Sequence, residues 1–398
     1  MTTVATENPY EGREQTLAKH VILKGYLQAL AFKILQSPHE VLTYVDGFSG
    51  PWRAQTESFS DTSFMIAINV LKDAQNQIFK ATGKRKTIRC LLIEKDAAAH
   101  QKLGSAVSIH NDPASKFSIE TLHGEFEEAT DRIVKCVGNS FALVFIDPTG
   151  WTGYAYDRIK PVLQHRPGEV LINFMYDHAN RFAMSGDPTI EASFEPIMGG
   201  SGWRDRLDQS MDVGQAVEKL FRDELKNAGG FKFVTTTRIN KPLVERTHFI
   251  MAYGTRHDEG LKTFREVEYK ALREHERTRA IAKESKEVKA TGQARLFTAA
   301  ETYDDRTIDE EVIAHRHRAK QFVLQQLTAN GNSLLFSRLV ALVLESFMLR
   351  TTNVKDVCVE LAQAGTIMNT WKDAGRKKPS ADAKCDDLIV LAPTVCAL

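Results

Sequence analysis

Between residues 41 and 255, short apolar runs rich in Val, Ile, Phe and Thr alternate with amphipathic stretches at helical spacing. This alternation leaves few architectures open, and the simplest is an α/β fold, a parallel sheet covered by helices. The candidate strands are VLTYVDGF (41–48), TIRCLLIEKD (87–96), FSIETLHGE (117–125), FALVFIDP (141–148) and EVLINFMYD (169–177). Two further runs, VTTTRI (234–239) and THFIMAYGT (247–255), are close enough in the chain to form an antiparallel pair at one sheet edge. Ahead of the first strand, LAKHVILKGYLQALAFKIL (17–35) has the apolar spacing of a helix that packs on the sheet. Residues 178–232 read as a mostly helical insertion with a loop at PIMGGSGWRD (196–205), where a substrate cover would be convenient.

The pattern changes near residue 265. A dense charge run from residue 265, REVEYKALREHERTRAIAKESKEVKA, leads into the segment 266–309, which reads as a charged linker or solvated helix. Residues 310–398 then resume an apolar period, with helices expected at AKQFVLQQL (319–327), SLLFSRLVALVLESF (333–347) and TTNVKDVCVELAQAG (351–365). TIMNTW (366–371) and DDLIVLAP (386–393) read as two strands around a basic wing. Three helices followed by a β-hairpin is the order of a winged helix-turn-helix domain, whose third helix commonly enters the major groove. Lys355, Lys372, Arg376, Lys377 and Lys378 are the candidate phosphate contacts, with DNA or RNA as the expected partner. Protein contact is the alternative use of such a domain.

Bulk charge adds nothing to that expectation: 52 Lys and Arg offset 51 Asp and Glu, so any basic site must be local. The start lacks the layout of a signal peptide, and no run approaches a membrane span, so no membrane partner and a cytoplasmic location are expected. Five cysteines without CxxC spacing suit reduced thiols. His315 and His317 are two apart on an expected helix and do not face one another, so no metal site is expected there or elsewhere.

Chemistry is expected where the parallel strands end, because such sheets bind nucleotide-like ligands there. The first strand ends in Asp46-Gly47-Phe48-Ser49-Gly50, in which glycines permit close backbone approach. The stretch matches neither a dinucleotide nor a P-loop fingerprint. For Asp46, direct ligand contact and loop structure both stay open. The second strand ends in Glu94, suited to accept both hydroxyl hydrogens of a ribose. The third ends in Glu125-Phe126, a carboxylate and an aromatic face for an adenine ring, and the fourth in Asp147-Pro148-Thr149-Gly150-Trp151.

Together these tips are the set expected of a class I S-adenosylmethionine-dependent methyltransferase, a Rossmann-like fold. An exocyclic amine is a poor nucleophile because its lone pair is conjugated with the base. Accepting its two N–H bonds at the Asp147 carboxylate and the Pro148 carbonyl makes the nitrogen more tetrahedral, and Trp151 or Tyr154 would stack the extruded base. Amino-methyltransferases usually show Asp-Pro-Pro-aromatic, whereas Thr149-Gly150 intervene here. The departure bears on the amine target more than on the cofactor.

KHVILKGYLQAL, YVDGFSGPW, VFIDPTGWTG and THFIMAYGTRHDEGL together resemble the three-Cys-motif partner proteins (TcmP), a bacterial and phage-associated family regarded as methyltransferase-like. The resemblance runs from about residue 15 to 265 and into the winged-helix tail. It implies a methyltransferase domain over residues 1–265 and a partner protein with a three-cysteine motif. The first half is also similar to ribosomal-RNA adenine-N6 methyltransferases, which implies that Lys19 reaches the cofactor carboxylate and that Asp147 is the catalytic acid. Two rivals use the same residues: a non-catalytic module that binds S-adenosylmethionine and recruits a partner, and a DNA-binding regulator whose first domain senses an effector. Thr255-Arg256-His257 is a lesser candidate for a substrate phosphate, with surface charge as the plainer reading.

Overall fold

The computed structural model describes Tyr10, Thr56 and residues 13–50, 58–182, 187–293 and 297–393. Two compact units emerge. One runs to His257 and takes in Arg277–Tyr303; the other comprises Asp258–Glu276 and the chain from Asp304.

In the first unit the elements follow in the order α1 (Glu14–Gln36), β1 (Val41–Asp46), α2 (Ser63–Thr82), β2 (Thr87–Glu94), α3 (Ala97–Ser108), β3 (Phe117–His123), α4 (Thr130–Val137) and β4 (Phe141–Ile146). Then come α5 (Tyr156–Leu163), β5 (Gly168–Phe174), α6 (Tyr176–Phe182), α7 (Pro188–Phe194), α8 (Val213–Gly229), β6 (Phe233–Asn240) and β7 (Thr247–Thr255). The seven strands form one sheet in the order β3-β2-β1-β4-β5-β7-β6. β1 to β5 are parallel, and β7 runs antiparallel between β5 and β6. This is the Rossmann-like α/β sheet with the antiparallel edge pair read from the sequence. Its order reverses between β1 and β4, and a crevice forms beyond the carboxyl ends at such a point.

Strand periodicity sorts the side chains. On β4, Ala142, Val144 and Ile146 enter a core shared with α4, α5 and α8, together with Val170 and Ile172 of β5. The intervening residues face the other way, where α1 lies: Tyr26 of α1 donates to Glu169 of β5. Asp46 and Asn173 belong to this α1-side register. The helices start and stop on local chemistry. Thr62 caps α2 by accepting from the Met65 N–H at 3.4 Å, Asp96 caps α3 from Ala99 at 2.8 Å, and Gly83 ends α2 at φ +68°.

The charge run read as a linker or solvated helix forms most of α9 (Asp258–Thr291), a single helix of 34 residues that begins ahead of the charge run. Leu261, Phe264, Arg265, Glu268, Ala271, Leu272 and His275 are all buried, a stripe at spacings of three and four. Charge in this stripe is compensated inside it: Arg265 Nη1 lies 2.6 Å from Glu268 Oε2, and Arg265 Nε donates to the Leu344 carbonyl. After α10 (Ala299–Thr302), the second unit holds α11 (Arg306–Ala329), β8 (Ser333–Leu335), α12 (Phe336–Ser346), α13 (Thr351–Gln363) and β9 (Leu388–Val390).

Two expectations for this region need correction. Residues 333–335, read as the start of a helix, are strand β8, which pairs antiparallel with β9. The run 366–371 does not form the first strand of a hairpin around a wing; it contributes one isolated bridge, Ile367 to Leu391. Trp371 is 1% exposed and turns the chain into the core, which stops the ladder. Among the described residues no helix is long and apolar enough to cross a membrane.

Candidate active site at the carboxyl ends of the strands

The loops after β1 and β4 are neighbours by register, since Asp46 pairs with Phe145 and the Gly47 N–H extends the ladder to the Phe145 carbonyl at 2.9 Å. Asp46 itself has no exposed surface. Its carboxylate accepts from Ser63 Oγ (2.8 Å), the Phe48 N–H (3.1 Å) and the Tyr44 hydroxyl (3.3 Å). Burial pushes the carboxyl up to about 6 against the pull of the Ser63 and Phe48 bonds, with nearby Asp147 raising it further. Of the two roles left open for Asp46, the geometry favours loop structure: the residue ties the loop to the start of α2.

Gly47 is needed for a reason its motif does not reveal. A Cβ there would stand 2.7 Å from Cδ2 of Phe126, whose ring is 2% exposed. Phe48 lies against the same ring, centroids 5.7 Å apart. Gly50 ends this part of the loop, and Pro51 and Trp52 of the motif fall outside the described residues. Glu94 is buried at the tip of β2, where its carboxylate accepts from the Asp96 N–H at 2.7 Å. Glu125 is exposed beside buried Phe126.

The fourth tip carries the strongest electrostatic feature. Lys19 Nζ donates to both oxygens of Asp147, at 2.9 and 2.7 Å, across 128 residues of sequence. Both side chains are largely covered, 13% and 14% exposed. Asn173 Nδ2, at the end of β5, donates to Asp147 Oδ1 at 2.7 Å, and the Asn173 Oδ1 is buried without a hydrogen-bond partner. The Lys19 ammonium also stands over the Phe249 ring of β7, 5.3 Å from its centroid. Beside Lys19, His20 is pushed down to about 4 by burial and by the neighbouring ammonium, and its Nδ1 lies 3.0 Å from the Tyr10 hydroxyl.

Pro148 is buried. Trp151 is held by the insertion: its indole stacks on Phe194 (5.2 Å, 15°), meets His178 at 5.2 Å, and donates from Nε1 to Ser193 Oγ at 2.9 Å. Tyr154 is fully buried with its hydroxyl unpartnered. The structure thus gathers Lys19, Asp46, Gly47, Phe48 and Asp147 near the reversal of strand order. Asn173 was missed by sequence reasoning. Its signal was a polar residue in the middle of the apolar VLINFM stretch.

The basic set of the second unit is dispersed. Lys378 is ion-paired to Asp356 at 2.5 Å and Arg376 to Asp387, while Lys372 and Lys377 are exposed and Lys355 is half-buried. α13 also carries Glu360, held by Arg316 and Lys320. Arg256 serves structure: its guanidinium donates to the carbonyls of Leu163, His165, Gly168, Gly229 and Gly230. Among the described residues no group of three His, Cys, Asp or Glu is placed to hold a metal.

No protein-family profile matches the chain, and neither does any curated protein. Among solved structures it is similar to a loganic acid methyltransferase with SAH, at 9% identity and a TM-score of 0.29, over 67% of this chain and 85% of that one.

Proposed function

We propose that the first unit is an S-adenosylmethionine-dependent methyltransferase acting on a nucleic-acid base, with an exocyclic amine such as adenine N6 as the acceptor. The observation that carries the reading is the Lys19–Asp147–Asn173 group, set where the sheet order reverses. The residues present fit this cofactor: Lys19 supplies a cation for its carboxylate, Glu94 an acid at the β2 tip for its ribose, and the Gly47–Gly50 loop a backbone that comes close. Glu125, exposed at the next tip, and the neighbouring Phe126 would serve the adenine. When bound, the cofactor supplies an electrophilic methyl group.

The chain's own residues do the rest. Lys19 is placed to exchange its bonds to Asp147 for a bond to the cofactor carboxylate, which leaves Asp147 to accept an amine hydrogen. Asn173 keeps the Asp147 carboxylate oriented through that exchange. The Pro148 carbonyl accepts a hydrogen bond from the second N–H, which stays on the nitrogen while the other proton leaves to Asp147 and then solvent, and Trp151, fixed on Phe194, forms the aromatic wall for the base. The second unit holds the nucleic acid through Lys355, Lys372 and Lys377, with Arg376 and Lys378 engaged internally. The TcmP resemblance adds a three-Cys-motif protein as partner.

Calorimetric titration with S-adenosylmethionine and S-adenosylhomocysteine tests the cofactor, and transfer of labelled methyl to RNA or DNA tests the reaction. Saturable binding weakened in Glu94→Ala is expected; no binding to the wild-type chain refutes the reading. One observation favours a non-catalytic binding module, namely that Lys19 already occupies both oxygens of Asp147. Asp147→Ala separates the two, because a catalytic acid costs transfer while ligand binding persists.

A further inference from the structure

The loop between β6 and β7 carries charge that the chemistry at Asp147 does not use. Lys241 Nζ lies 2.7 Å from Asp177 Oδ2, Arg246 reaches Asp177 Oδ1, and Arg181 approaches the same carboxylate at 3.4 Å. Asp177 is only 4% exposed, whereas Arg246 and Arg181 are about half exposed, at 50% and 51%. Three cations on one carboxylate leave the cluster with two positive charges in excess.

This loop is also built to hold its shape. The Lys241 N–H donates to the Arg246 carbonyl at 2.8 Å. From beneath, Arg279, 1% exposed, donates to the Lys241 carbonyl at 3.0 Å, to the Val244 carbonyl at 3.1 Å and to Glu245 at 2.9 Å. A buried guanidinium spent on fastening a surface loop is costly unless every donor is used, and the return is a preorganised tip. That tip exposes Leu243 and Val244, 42% and 50%.

Topology places the loop beside the candidate active site. β7 runs antiparallel to β5, so the amino end of β7 emerges at the carboxyl end of β5, next to Asn173. Phe249 of β7 carries the Lys19 ammonium, and His248 is pushed down by burial and by the charges of Lys241 and Lys19 together.

We propose that Lys241 and Arg246 form a phosphate clamp that grips the backbone of a single-stranded nucleic acid next to the target base, with Arg181 behind them. The inference rests on the methyltransferase reading and names the substrate class of the same site as a polynucleotide rather than a free nucleotide. Asp177 holds the two cations in place until a phosphate displaces it from their outer faces, and Leu243 and Val244 give the sugar and base an apolar surface to lie on.

The test measures binding of a labelled single-stranded oligonucleotide, as RNA and as DNA, by fluorescence anisotropy across roughly 50 to 200 mM salt. Wild-type chain is compared with Lys241→Gln/Arg246→Gln and with Lys372→Gln/Lys377→Gln. Adenosine monophosphate serves as competitor, and S-adenosylhomocysteine titration and thermal unfolding are followed on each variant. The expected result is that the hairpin variant binds about tenfold more weakly, with a salt slope smaller by about 0.7 for each phosphate it no longer neutralises, while its cofactor binding stays at the wild-type value and it remains folded at the assay temperature, with an unfolding temperature lowered by the loss of two of the Asp177 partners. An unchanged slope and affinity in that variant, with oligonucleotide and cofactor still bound, overturns the clamp alone. Failure of the wild-type chain to bind S-adenosylhomocysteine overturns the methyltransferase reading beneath it. Displacement of the oligonucleotide by an equal concentration of adenosine monophosphate assigns the cluster to a mononucleotide and overturns the polynucleotide assignment.

Discussion

A methyl group at Gly47 tests how the first loop is packed. In Gly47→Ala the new Cβ stands 2.7 Å from Cδ2 of Phe126 and 3.0 Å from Cε2 and Cγ. Carbon atoms rest at roughly 3.5–4.0 Å, so the ring or the loop must move by close to an ångström. The ring cannot yield freely, because Phe126 is 2% exposed within the core beneath β1, β2 and β4. Gly47 is not among the residues with positive φ, so the substitution carries no left-handed backbone penalty and isolates the contact. Overpacking of this kind costs about 1–3 kcal/mol. Urea unfolding followed by circular dichroism reads the cost in Gly47→Ala, in Phe126→Leu and in the double variant. Because Leu vacates the space the methyl needs, the double variant should recover about 1 kcal/mol relative to the sum of the singles. Effects that add to within about 0.5 kcal/mol would show that Gly47 and Phe126 do not press on one another, and the packing argument would fail.

Three other expectations follow from the geometry. His20 titrates near 4 in the folded chain and near 6.5 unfolded, so between those values the unfolded state binds more protons; stability falls as pH drops through that window, by about 3 kcal/mol in all. His20→Gln should remove this component, seen as a smaller stability loss from pH 7 to 4.5; an identical pH dependence would contradict the assignment. Asp46 acts in the opposite sense, its raised carboxyl favouring the folded state as pH falls from about 6, and its contribution is the same in wild type and His20→Gln, so it cancels in their difference. Arg256→Ala strands five carbonyls, four of them partly buried, and should cost about 3–5 kcal/mol in thermal or urea unfolding, while a loss under 1 kcal/mol would mean that water replaces the guanidinium. Asp147→Asn releases the Lys19 ammonium and should tighten S-adenosylhomocysteine binding about tenfold by calorimetry; weaker binding would show that Lys19 does not serve the cofactor.

The sheet was legible because its signal is local. Each β-branched run announces its strand, and the short separation of 234–239 from 247–255 announces the edge pair; the observed strands end within three residues of the runs. What escaped was either non-local or chemically disguised. Lys19 meets Asp147 across 128 residues, and no spacing rule reaches that far. The stripe of α9 was hidden because Arg265 and Glu268 count as solvated in any periodicity reading, yet they bury each other. Residues 333–335 were absorbed into the helix that follows, since three apolar or neutral residues satisfy either period. Burial of Glu94 and Phe126 could not be read from residues that look equally well suited to a ligand or to a core.

The pairing of Tyr26 with Glu169 gives α1 a mechanical character. Tyr26 and Tyr253 share hydroxyl contact, and Thr255 donates to the other oxygen of Glu169 at 2.7 Å. Burial pushes the Glu169 carboxyl upward, so each bond to it counts. Lys19 stands seven residues before Tyr26, two turns along the same side of the rod and about 10 Å from this pivot. A helix is stiff over that distance, so the pivot sets where the ammonium arrives. A small rotation of α1 about Tyr26 would carry Lys19 along an arc across the mouth of the crevice, so a change as slight as Tyr26→Phe would detune the aim of a cation that the tyrosine never touches.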